Sequence, residues 1–244
     1  MKSVWIIYLI ILGYYILGTV GIYFINRNKD PESRRRAWIK HVTYFFVTSL
    51  VFFSIAIEVA LFRYLAVIII IAGFLELTSL WVKSGNRHTL FFILSMLVLA
   101  ALSAGFFLFS GMGQGLILFS FLILCIFDGF SQVTGQLLGK RKLFPEISPN
   151  KTVEGLIGGA TVSVLSALVF RNIIPQDWPV AMLTATVVVL FAFVGDAEKS
   201  IYKRKYNVKD FSRLIPGHGG FLDRFDSLIA GGAGVALLGW LSGL

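Results

Sequence analysis

Residues 200–226 read SIYKRKYNVKDFSRLIPGHGGFLDRFD. Basic residues crowd this stretch, glycines interrupt it, and two carboxylates three residues apart, Asp223 and Asp226, close it. Apolar runs long enough to cross a bilayer lie on either side, at about 180–196 and 226–243. Charge of both signs held against hydrocarbon is costly, so a membrane protein that keeps it has a use for it. The expectation is a stretch that grips a phosphate-rich, metal-bound substrate at the membrane surface.

The flanking runs set the fold class. Of 244 residues, 57% are hydrophobic and only 14% charged, against about 25% charged in a soluble domain. At roughly 20 residues per crossing, the chain offers eight spans: 4–24, 42–62, 64–82, 90–109, 116–138, 153–170, 180–196 and 226–243. The reading is an all-α, polytopic transmembrane bundle. Arg63 alone separates the second span from the third, which predicts a tight hairpin there. The run after Met1 has no small-residue cleavage site behind it and reads as a retained helix. The single Cys125 lies inside an apolar run, so no disulfide framework exists.

Nineteen of the 22 Lys and Arg residues fall in four alternate loops, 25–41, 83–89, 139–152 and 197–225. With both termini outside, that distribution obeys the positive-inside rule. The net charge of +9 therefore suits anionic headgroups and topology, not nucleic acid. Residues 1–110 form an N-terminal membrane half. Residues 111–244 form a second half that carries the chemistry, with cytoplasmic loops 139–152 and 197–225.

In the fifth span, Asp128, Gln132 and Gln136 recur every four residues and share one helix face. An intramembrane Asp faces a bundle interior or a wet cavity; a structural polar stripe is the competing reading. Ser148 before Pro149 matches a helix start, which would put Lys151 and Thr152 in a first turn whose N–H groups attract an anion. A basic loop held at the headgroups accounts for the same residues. Gly158 and Gly159 suit close helix contact. Glu76 is a lone intramembrane carboxylate with no assigned role.

Asp196 ends the seventh span, at the depth where Asp223 and Asp226 open the eighth. Two acids in a first turn also suit the helix dipole. Three carboxylates at one level make a hard-oxygen site for Mg²⁺. Between them, PGHGG at 216–220 lets backbone N–H groups near Gly219 and Gly220 approach a phosphate, or serves only as a flexible turn. His218 suits a turn or a hydrogen bond, and the three histidines have no zinc-ligand spacing.

The pattern Ser200-x-x-Lys203-Arg204-x4-Lys209-Asp210-x-Ser212-x3-Pro216-x-His218-Gly219-Gly220-x-x-Asp223-Arg224-Phe225-Asp226 closely resembles the signature of the phosphatidate cytidylyltransferases, or CDP-diacylglycerol synthases. Ser148-Pro149-Asn150-Lys151-Thr152-x-Glu154-Gly155 and Gly195-Asp196 fit the same family, so the resemblance covers about 120–244. Tyr202 departs from the family's usual aliphatic residue or Phe. Ser131-Gln132 stands where the family commonly has Ala-Tyr.

The resemblance implies transfer of a cytidylyl group from CTP to phosphatidic acid, giving CDP-diacylglycerol and pyrophosphate. It implies a dimeric, multi-pass protein of a prokaryotic inner membrane, with a cytoplasm-facing cavity open to lipid. Divalent metal would sit on Asp196 and Asp223, with Asp226 beside them, and a monovalent cation such as K⁺ shares the family's site. Asp128, Asp196, Lys203, Asp223 and Asp226 are the catalytic candidates. Ser148, Lys151, Thr152, Arg204, Lys209, His218, Gly219, Gly220 and Arg224 are the substrate-binding ones. Two alternatives stand: a cytidylyltransferase or kinase for another, polyprenol-type lipid, and a membrane transporter. The transporter fits poorly, because the polar groups crowd one face and no halves repeat.

Overall fold

The computed structural model describes residues 2–28, 30–174 and 176–242. It contains eight long helices: α1 (Lys2–Asn26), α2 (Pro31–Ile57), α3 (Val59–Lys83), α4 (Thr89–Phe109), α5 (Gln114–Leu138), α6 (Val153–Phe170), α7 (Trp178–Lys205) and α8 (Leu222–Ser242). All eight carry windows long and apolar enough to cross a membrane. The protein is therefore a multi-pass membrane protein of the expected all-α class. Among the described residues the one sheet is a two-stranded hairpin, β1 (Lys142–Phe144) and β2 (Ser148–Thr152).

Local chemistry sets the helix ends. Asp30 caps α2, its carboxylate accepting the Ser33 N–H at 2.8 Å, and Pro31 follows at the first helical position. The break between α2 and α3 falls at Glu58, whose backbone is extended, and not at Arg63. Arg63 lies within α3 and sets its guanidinium 4.5 Å from the centre of the Phe107 ring, so its charge is met by a π-face on α4. Gln114, at the start of α5, donates to the carbonyls of Ile55 and Ala56. Those carbonyls end α2 and have no helical partner of their own.

Ser148–Pro149 is not a helix start. Proline disfavours the α conformation in the residue before it, and both residues lie in β2, where Ser148 pairs with Phe144. The cap of α6 is Thr152, whose Oγ1 accepts the Gly155 N–H at 3.1 Å. Thr152 is also buried against α5: a Cβ on Gly139 would lie 2.7–2.8 Å from its side chain.

Helices α5 to α8 form the centre. Small residues bring α5 and α6 together as expected, since a Cβ on Gly159 would fall 1.9 Å from Ser131 Oγ. Gly195 of α7 likewise makes room for Ala230 of α8. Helix α8 is enclosed from Leu222 to Ala236, with Gly232 against Phe106 and Phe109 of α4, and exposes Trp240 and Leu241 in its last turn. At roughly 1.5 Å per residue, the 28 residues of α7 exceed the ~30 Å hydrocarbon layer. The helix thus continues past Asp196, and its last turns carry the charged residues out of the apolar slab.

Candidate active site

Asp196, Lys199, Ser200 and Lys203 recur at helical spacing along one face of α7. That face, the β1–β2 hairpin and the 206–221 loop enclose a cavity of about 230 Å³. Ser148, Arg204, Lys209, His218 and Arg224 complete its polar wall, together with Asp210 and Asp223.

Three lysines distribute themselves over three carboxylates. Lys151, from β2, pairs with Asp196 Oδ2. Lys199 bridges Asp196 Oδ1 at 3.1 Å and Asp226 Oδ1 at 2.7 Å. Lys203 donates to Asp223 Oδ1 at 2.6 Å. Burial pushes Lys151 down to about 8, against the pull of Asp226, and the neighbouring Lys199 adds to the fall.

Asp223 is a buried anchor as well as a cavity wall. Its Oδ2 accepts the N–H groups of Phe211 at 2.8 Å and Gly220 at 2.9 Å, so one carboxylate ties α7, the loop and α8 together. Gly219, at φ 83°, packs against that carboxylate, and a Cβ there would lie 2.5 Å from Oδ2. The Gly220 N–H is consequently committed to Asp223 and is not a free phosphate donor.

Glu76 of α3 works the same way from the other side. Its Oε1 accepts from Ser212 Oγ at 2.7 Å and the Phe221 N–H at 2.9 Å, and Oε2 accepts the Leu222 N–H at 2.9 Å. It caps α8 and fixes the loop, and pairs with no cation among the described residues. Glu76→Gln is expected to turn one of those acceptors into a donor facing a donor. The expected result is a lower unfolding midpoint in detergent and, because the cavity wall shifts, a turnover loss approaching ~10²-fold; intrinsic tryptophan fluorescence and a rate assay check both.

The remaining candidates separate. Arg204 lines the cavity and also clamps it, Nε donating to the Ile147 carbonyl at 3.0 Å and Nη1 to that of Val208 at 3.3 Å. Thr152 spends its oxygen on the α6 cap and does not line the cavity. Asp128 does not line it either, but lies within electrostatic reach of Asp226, Arg224, Lys199 and Lys151. Lys199 is absent from the sequence-based candidates. The available signal was its spacing, three residues after Asp196 and four before Lys203.

Three buried polar atoms beside the cavity have no partner among the described residues: Arg224 Nε, His218 Nδ1 and Asp226 Oδ2. Buried unpaired groups are costly. An anion would satisfy the first and a cation the last. Burial, aided by the Arg224 charge, lowers His218 from 6.5 to about 4, so the ring is neutral at physiological pH. Between pH 6.5 and about 4 the unfolded chain binds a proton that the folded chain refuses. Stability is therefore expected to fall as pH drops through that window. Unfolding midpoints measured from pH 7 to pH 4 should flatten in His218→Gln.

A divalent cation is tested by the same groups. Among the described residues no three acids, histidines or cysteines gather closely enough to hold a metal. Mg²⁺, however, commonly binds through one or two carboxylates and completes its shell with water and phosphate. Asp196 and Asp226 already share one cationic group, and Asp226 keeps a free oxygen. Asp226 fits as it stands; Asp196 and Asp223 each have both oxygens engaged by protein donors, those of Asp196 by lysine ammoniums alone and those of Asp223 partly by backbone N–H groups of the loop, so Asp196 is the one of the two that a cation could share without moving the loop.

The model of the cytidylyltransferase family matches residues 1–241. The chain belongs to that family. The match extends the resemblance read at 120–244 to nearly the whole chain. Among curated proteins, the phosphatidate cytidylyltransferase of Staphylococcus epidermidis is 44% identical over 119 residues, covering 48% of this chain and 46% of that protein. The enzyme of the same name from Staphylococcus saprophyticus is 39% identical over 159 residues, covering 63% and 61%. That from Staphylococcus aureus is 40% identical over 139 residues, covering 55% and 54%. The chain thus spans about half the length of the curated relatives it matches.

Proposed function

We propose that this protein is a phosphatidate cytidylyltransferase, moving a cytidylyl group from CTP to phosphatidic acid at the cytoplasmic face of the membrane. One observation carries the reading: a basic cavity beside a membrane slab, with Arg224 Nε still in want of an acceptor. The names of the staphylococcal relatives support the same substrates.

In the proposed reaction a lipid phosphate oxygen attacks the α-phosphorus of CTP. The new P–O bond forms as the bond to pyrophosphate breaks. The nucleophile is already an anion, so no strong general base is required, and neutral His218 is not asked to be one. The task is to hold two anions together and steady charge in the transition state. Lys203, Lys209 and Arg224 meet phosphate oxygens, and Arg204 shapes the wall while lending charge. Lys151 and Lys199 hold Asp196 in place. Bound at Asp196 and Asp226, Mg²⁺ would neutralise the triphosphate.

The test is incorporation of labelled CTP into lipid in detergent, with phosphatidic acid and polyprenyl phosphate offered separately. Label in CDP-diacylglycerol with release of pyrophosphate supports the reading. Label only with the polyprenyl acceptor moves the protein to another lipid, and no label with any acceptor overturns it.

A further inference from the structure

Lys199 is placed unlike the other basic residues of the site. Its ammonium makes three contacts, all to oxygen: Asp196 Oδ1 at 3.1 Å, Asp226 Oδ1 at 2.7 Å and the Asp223 main-chain carbonyl at 3.1 Å. An ammonium has three N–H donors, so all three are used. Its side chain is 12% exposed, like that of Lys203 and against 29% for Lys151, so it is the three oxygen contacts that set it apart. The three oxygens come from two helices, α7 and the first turns of α8. Lys199 lines the cavity, but all three of its donors are turned to protein oxygens. The arrangement is a cage of oxygens around a single positive charge, with two carboxylates that would otherwise repel each other.

An ammonium and a potassium ion are alike in size and charge and accept the same kind of oxygen cage. We propose that the Lys199 ammonium is the chain's own tethered monovalent cation, held by Asp196, Asp223 and Asp226 where a soluble K⁺ or NH₄⁺ would otherwise sit. Lys199 is thereby a positioning residue. It draws Asp196 and Asp226 together before any substrate arrives and leaves the Asp226 Oδ2 oxygen available. A protein with its cation covalently attached has no requirement for a monovalent salt. This inference uses the phosphate-transfer reading to say what the carboxylates are for, but its test does not pass through that reading.

The experiment is thermal unfolding in detergent without nucleotide, at constant ionic strength, in chloride salts of K⁺, NH₄⁺ or the bulky N-methylglucammonium. The wild-type midpoint is expected to be the same in all three. Lys199→Ala leaves the buried Asp226 uncompensated and Asp196 with Lys151 alone, and is expected to drop the midpoint by about 5–10 °C in the bulky salt. K⁺ or NH₄⁺ should then restore much of the loss, saturably. A lysine that merely adds a salt bridge would give the drop but no size-selective rescue, and that outcome overturns the proposal. A wild-type midpoint that rises in K⁺ also overturns it, and this arm holds even if Lys199→Ala fails to fold. Lys199→Gln, neutral and one atom shorter so that it leaves room for a small cation, should fold and show the same size-selective gain; a Gln variant indifferent to salt counts against the inference. Because no CTP is present, a rescue by K⁺ stands whether or not the lipid assay succeeds.

Discussion

Asp223→Asn is expected to abolish most turnover and to loosen the cavity wall at the same time. Oδ1 of Asp223 receives the Lys203 ammonium, and Oδ2 receives two backbone N–H groups. An asparagine must aim its NH₂ at one side or the other, so a donor meets a donor whichever way the amide turns. Lys203 also loses its charge partner. Breaking a buried pair by removing one member costs about 3–5 kcal/mol; this pair joins α7 to α8, and the other oxygen of the same carboxylate pins the 206–221 loop. The expected result is a midpoint several degrees lower and incorporation of CTP down more than ~10²-fold. Near-normal incorporation at an unchanged midpoint contradicts the assigned role.

Asp196→Asn should separate chemistry from folding. Its side chain is 24% exposed to the cavity, and no backbone N–H of the 206–221 loop depends on it. Asparagine keeps the shape and removes the charge. The midpoint should fall less than in Asp223→Asn, because the side chain is partly exposed although Lys151 and Lys199 lose its charge, while turnover falls about 10²–10³-fold, the usual size of losing one electrostatic contributor to a transition state. If Mg²⁺ binds as proposed, the concentration needed for half-maximal rate should rise in parallel, because one of the two carboxylates assigned to the ion would be gone. A variant with wild-type rate and wild-type Mg²⁺ response would remove Asp196 from the site.

The sequence carried the number of spans because eight apolar runs are a strong and local signal. It also carried the meeting of residues near 150, 200 and 220, because polar residues in a membrane protein collect where they are needed. Helix ends were less legible. Arg63 looked like a turn because a charge interrupts an apolar run, yet the chain bends at Glu58, and Phe107 on another helix meets the guanidinium. Ser148–Pro149 matched a helix start locally, but pairing with Phe144 made it a strand. Glu76 and Lys199 were missed for one reason. Each acts through partners distant in the chain: Glu76 through residues 212–222, and Lys199 through Asp226 and the Asp223 carbonyl. Spacing alone does not reveal such partners.

In the proposed reading, acids and lysines from α7, α8 and the β1–β2 hairpin surround a nucleotide's phosphates in a cavity that faces the cytoplasm. The most direct measurement is labelling of a single cysteine at the cavity wall, Ser148→Cys in a Cys125→Ala background, with a membrane-impermeant maleimide in sealed vesicles of known orientation. The prediction is modification only from the cytoplasmic side, slowed several-fold by CTP with Mg²⁺ and not by cytidine. Modification from the opposite side, or a rate indifferent to CTP, would contradict it.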